Sequence, residues 1–223
     1  MREKMNMGKK QLAGLLAAVN VLSLCLAGNV MAEENSKKGN YAQLKVGMFQ
    51  PTGDMEDADY DNGGAFSAVY GRYLNKYLVL EAGFDVFGSD QTVRGSNSQA
   101  GGYTQDNTLV GTAGLVTLKG EYSAGPVDLF CGLGGGIYAV TLASEIDSSR
   151  LGDLDTDDSD GVFGVHVVAG ANYNINERFF VGVEGKYRWT DDVDIRESVA
   201  SIPVEYTGDL SGYTVTLNAG FRF

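Results

Sequence analysis

His166 is the chain's single histidine and lies in the run Gly164-Val165-His166-Val167-Val168. Nucleophilic catalysis by an imidazole needs a nucleophile and an orienting acid within hydrogen-bond reach, and the local sequence offers neither. The plainer assignment is a histidine inside a polar network. The carboxylates Glu81, Asp85, Glu121 and Glu184 are of the type that acts in acid and base pairs, but basic residues recur at matching strand positions, so ion pairing is the better reading of all four. The run Gly132 to Gly136 (GLGGG) lacks the GxGxxG spacing of a nucleotide loop and no helix follows it. Its alternate glycines 132, 134 and 136 either make room for bulky neighbours or leave a narrow water path. Asp153, Asp155, Asp157, Asp158 and Asp160 form an oxygen-rich run able to attract divalent cations, without the spacing of an EF-hand. A solvated loop is the competing account of that run.

The elements that would carry these groups show a period of two. In the last segment Tyr213, Val215, Leu217, Ala219, Phe221 and Phe223 share one face, and Thr214, Thr216, Asn218, Gly220 and Arg222 share the other. Similar segments recur at about residues 41–50, 63–74, 77–88, 107–122, 127–141, 161–175, 179–190 and 210–223. Eight segments of roughly ten residues or slightly more suit tilted membrane strands. Their connections alternate in kind. Asn75-Lys76, Ser123 to Pro126 and Asn176 to Arg178 are tight, whereas 51–62, 89–106, 142–160 and 191–209 are long and polar. The expected fold is therefore all-β, an eight-stranded antiparallel transmembrane β-barrel with short periplasmic turns and long acidic extracellular loops.

The charges within the strands decide which face meets lipid. With the apolar face outward, the opposite face collects Lys45, Arg72, Lys119, Lys186, Arg188 and Arg222 with Glu81, Asp85, Glu121, Asp128 and Glu184. Six positive and five negative groups nearly cancel. They suit a barrel interior in which they pair across strands, and a dry sandwich core would desolvate each at a cost of several kcal/mol. His166 joins this interior set. Tyr41, Tyr73, Tyr122, Tyr173, Phe179, Phe221 and Phe223 lie near the tight-turn ends and are expected to form an interfacial girdle. On these faces an arginine at Leu217 should harm insertion and one at Thr216 should be much milder.

Bulk composition agrees. Among 223 residues there are 31 glycines and 3 prolines, with 43% hydrophobic and 21% charged side chains. Mean hydropathy is −0.12, so nothing beyond the N-terminus is apolar enough to span a bilayer as a helix. Residues 1–32 read as a cleaved signal peptide, with Arg2, Lys4, Lys9 and Lys10 before an apolar run and Val30-Met31-Ala32 at the cut. An uncleaved anchor is disfavoured by Asn20 and Ser23, and a lipidation signal at Cys25 by Leu24 before it. The barrel domain would then be 33–223. Cleavage removes four of the 17 basic and one of the 29 acidic residues, leaving a formal charge of −15. That sign argues against nucleic acid as a partner. Cys131 remains alone, so neither an intramolecular disulfide nor a cysteine metal cluster can form. No cofactor is expected.

The segments VGMFQPTGD (46–54), YGRYLNKYLVLEAGF (70–84) and LNAGFRF (217–223) resemble the small outer-membrane β-barrel family that includes the OmpA barrel, OmpX, OmpW and opacity-type adhesins. The resemblance is one of pattern over the whole mature chain. It implies residence in the outer membrane among its lipid and lipopolysaccharide. It also implies recognition by the outer-membrane assembly machinery through the aromatic end Phe221 and Phe223. Because the eighth strand ends the chain, peptidoglycan anchoring is not expected. Barrel enzymes that deacylate lipid A carry a lipid-facing His-x-Ser, whereas Val168 stands two residues after His166 here. The expected function is a non-enzymatic structural or interaction barrel displaying acidic loops, with divalent cations as possible loop partners. A narrow transport barrel for small solutes or small hydrophobic molecules is the second reading, and a barrel enzyme the third.

Overall fold

The computed structural model describes residues 39–97, 101–148, 152–199 and 202–223. The signal segment lies outside the described residues. Eight strands close into one antiparallel ring: β1 (Asn40–Pro51), β2 (Gly63–Tyr73), β3 (Leu78–Asn97), β4 (Gly101–Ala124), β5 (Val127–Ser148), β6 (Gly152–Asn174), β7 (Phe179–Thr190) and β10 (Gly212–Arg222). β1 closes the ring by pairing with both β2 and β10. Closure removes the free edges that a bilayer cannot tolerate. Among the described residues no helix is long and apolar enough to cross a membrane.

The period of two sets the faces. Along β10, side chains alternate between exposed and buried from Tyr213 to Phe223, as expected from a sheet with an apolar outside and a polar inside. The tight turns form where their side chains supply the missing acceptors. Asn75 Oδ1 accepts from the amides of Tyr77 and Leu78 at 2.8 and 2.9 Å. Asn176 Oδ1 repeats the arrangement with Arg178 and Phe179 at 2.9 and 2.8 Å. Gly125 takes φ 65° between β4 and β5, a left-handed conformation suited to glycine.

The other end departs from the expectation of loops. Strands β3 to β6 run on past the barrel as paired ribbons, so most of 89–106 and 142–160 is strand. Period-two alternation persists there, with Leu142, Ser144 and Ile146 buried against exposed Glu145 and Asp147. Segment 191–209 folds as a separate hairpin, β8 (Val193–Val199) with β9 (Ile202–Gly208). Segment 51–62 contains one helical turn, α1 (Asp54–Asp57).

Candidate functional site

The barrel interior is the place where titratable groups converge. Lys45, Glu81, Asp85, Lys119, Glu121, Asp128, His166, Glu184, Lys186, Arg188 and Arg222 all turn inward and are buried. Arg72 does not. It is exposed, on the outward face with Phe66 and Tyr70, while Tyr73 next to it points inward. Strand parity overrides the tendency of charge to sit inside. Among the described residues the interior then holds five cations and five carboxylates, balanced without Arg72. Tyr41 and Tyr73 also leave the expected girdle for the lumen, whereas Tyr122, Tyr173, Phe179, Phe221 and Phe223 remain outside.

Three layers fill the lumen. At the turn end Arg222 reaches Asp128 at 3.2 Å and Asn174 at 2.6 Å, over the Phe180 ring at 4.4 Å. Tyr41 donates to Glu81, and Tyr73 donates to Glu121 at 3.1 Å. In the middle Glu184 is the hub. It accepts from Lys45 and Lys119 at 2.7 Å each, and Lys119 also reaches Glu81 at 2.9 Å. Lys186 pairs with Asp85. The cavity among these groups is about 10 Å³, space for about one water. Buried ion pairs of this kind hold register and fill volume, and breaking one leaves an uncompensated charge.

Above this layer the interior turns apolar. Arg188, 1% exposed, donates to Thr214 at 2.6 Å and lies over Phe87 at 3.7 Å and Phe49 at 4.8 Å. Those rings open a buried cluster that includes Leu109, Tyr138, Val140, Leu142 and Ile146. Met55 and Tyr60 from the α1 segment, with Val193, Ile195, Tyr206 and Leu210 from the hairpin region, close it from outside. Tyr60 and Tyr206 meet edge to face at 5.7 Å, and burial pushes the Tyr60 phenol up to about 12. Strand parity already points toward this plug, because Tyr138, Val140 and Leu142 continue the inward positions of the glycine run.

The glycine run is close-packed against the neighbouring strands and side chains. A Cβ at Gly134 would stand 2.6 Å from His166 Nε2, and one at Gly132 would stand 2.9 Å from Lys119. The glycines accommodate those two side chains. His166 shares a hydrogen bond with Thr117 at 2.8 Å, and Val168 behind it is buried too. Asp153, Asp155, Asp157 and Asp158 lie in the outer part of β6, in strand and not in a loop. Asp160 accepts from the amides of Gly161 and Asp194 at 2.7 and 3.1 Å. Among the described residues, no three His, Cys, Asp or Glu side chains are grouped to hold a metal.

A closed antiparallel barrel with an apolar belt and a charged interior defines the class of eight-stranded outer-membrane barrels. The chain matches the family described as "Outer membrane protein beta-barrel domain" over residues 17–223, and it belongs to that family. It is an outer-membrane protein, its tight turns periplasmic and its ribbons extracellular. Among solved structures it is similar to Neisserial surface protein A (NspA), with TM-score 0.54 and 11% identity, covering 86% of this chain and 100% of that one. It is also similar to OprG of Pseudomonas aeruginosa, with TM-score 0.51 and 12% identity, covering 83% and 97%. At such identities the likeness is one of fold. No curated protein matches the sequence.

Proposed function

We propose that this chain is a non-enzymatic, closed structural or interaction barrel that presents its acidic ribbons at the cell surface. The observation that carries this reading is the occupied lumen. An ion-paired middle with a cavity of about 10 Å³ lies beneath an apolar plug, as in small barrels whose interiors are filled by side chains. The histidine that a barrel enzyme would need is sealed inside and bonded to Thr117, away from lipid and water. Liposomes containing the folded protein should release small solutes no faster than empty liposomes. Release at porin-like rates would overturn the proposal in favour of a transport barrel.

A further inference from the structure

Among the described residues, Arg72 is the one charged side chain on the outward face of the barrel below the ribbons. It has no carboxylate partner among those residues and stands at the periplasmic end of β2, in register with Asn40 and Leu80. Immediately above it the outer wall is not flat. Across β3, β2, β1 and β10 residues alternate large and small in two adjoining rows, each of which ends on an apolar residue of β7. The lower row runs Ala82, Tyr70, Ala42, Phe221, Phe179, and the next runs Phe84, Ala68, Leu44, Ala219, Val181. The rows are out of phase, so the four alanines form the floor of a shallow, open groove of about 810 Å³ on the outer wall.

Aromatic side chains wall its periplasmic side. Tyr70 meets Phe223 at 6.4 Å, Phe223 stacks on Phe221 at 6.1 Å, and Phe221 meets Phe179 at 5.0 Å. Arg178 is exposed in the turn between the groove residues Ile175 and Phe179. The groove thus has an apolar bed, with Arg72 two residues beyond Tyr70 on β2 and Arg178 next to Phe179, both toward the tight-turn end. A second outer-wall groove of about 640 Å³ lies over Gly120, Cys131, Ala169 and Gly185, and among the described residues none of its strands carries an outward-facing cation below the ribbons, the nearest exposed one in sequence being Lys76 in the turn before Leu78.

We propose that the Ala42/Ala68/Ala82/Ala219 groove binds one anionic phospholipid of the inner leaflet, an acyl chain lying in the groove and the phosphate held by Arg72. Charge complementarity selects the headgroup. One arginine near an anionic surface gives about a fivefold enrichment, and the apolar bed positions the chain. The site depends on the outer-membrane location and not on whether the lumen is closed.

The test uses full-length folded protein in phosphatidylcholine vesicles containing a fixed minor fraction of brominated lipid. Tryptophan fluorescence reports contact, with Phe84→Trp as groove reporter in a Trp189→Phe background. Brominated phosphatidylglycerol should occupy the groove about fivefold more than brominated phosphatidylcholine. That preference should vanish in Arg72→Gln, and Ala68→Leu, which fills the bed, should lower quenching by both lipids. A Leu133→Trp reporter in the second groove should show no headgroup preference. Equal quenching by the two lipids at Phe84→Trp, a preference surviving Arg72→Gln, or the same preference at Leu133→Trp would each overturn the proposal.

Discussion

Replacing Glu184 by glutamine tests the ionic hub. Glu184 is 1% exposed and Lys45 3%, and the bonds to Glu184 at 2.7 Å are the ammonium contacts of Lys45. Lys119 would keep Glu81 at 2.9 Å, but Lys45 would lose its counter-charge in a space that admits about one water. Removing one member of such a buried pair costs about 3–5 kcal/mol. Lys45→Met should cost less, because Glu184 retains Lys119 at 2.7 Å. The double variant Lys45→Met/Glu184→Gln removes one charge of each sign and restores balance, so it should be less destabilised than Glu184→Gln alone, with a coupling of about 1–3 kcal/mol. Urea unfolding in phospholipid vesicles, followed through Trp189 fluorescence and heat-dependent gel mobility, gives the three differences. Strict additivity of the two substitutions, or a cost below about 1 kcal/mol for Glu184→Gln, would refute the hub.

Leu217, 69% exposed to lipid, should lose about 2–4 kcal/mol of insertion free energy as arginine, depending on depth. Thr216→Arg should be milder, its cost coming only from overpacking of the interior, because Thr216 is 3% exposed beside the Glu184 backbone; vesicle refolding yields compare the two, and equal losses would mean the faces are assigned wrongly. Cys131 is exposed on the outer wall, so a lipid-soluble maleimide should label it in folded protein and a membrane-impermeant one should not. At the outer mouth, burial raises the Asp209 carboxyl above its usual range, which means the folded mouth binds that proton more tightly than the unfolded chain does. Its contribution to stability is full below the unfolded value and is lost as pH rises through the raised one. Amide exchange in β8 and β9 should therefore quicken across that interval, and Asp209→Asn should remove the dependence.

Much of this architecture was legible because a membrane barrel forces every strand into one alternation. Along β10 the alternation in the sequence matches the exposed and buried positions throughout. Residue type misleads where it conflicts with parity. Arg72 is charged, yet its strand face is shared with Phe66 and Tyr70 and points outward. Tyr41 is aromatic, yet it shares parity with Gln43 and Lys45 and points inward. Within the ribbons Asp fills five of the eight positions in 153–160, a composition that usually marks loops. There the alternation of Leu142 and Ile146 with Glu145 and Asp147 on the partner strand was the stronger signal. The apolar plug depends on which loops fold back over the mouth, and single-strand periodicity carries no information about that. The pairing of Glu184 with both Lys45 and Lys119 depends likewise on ring closure and stagger.

Single-channel recording in planar bilayers tests the central claim most directly, using protein whose heat-shifted gel band shows it to be folded. A lumen filled by ion pairs and capped by the Phe49, Phe87 and Tyr138 cluster predicts no current steps of porin size. Sustained steps of that size from the folded protein would contradict the closed barrel and make transport its function.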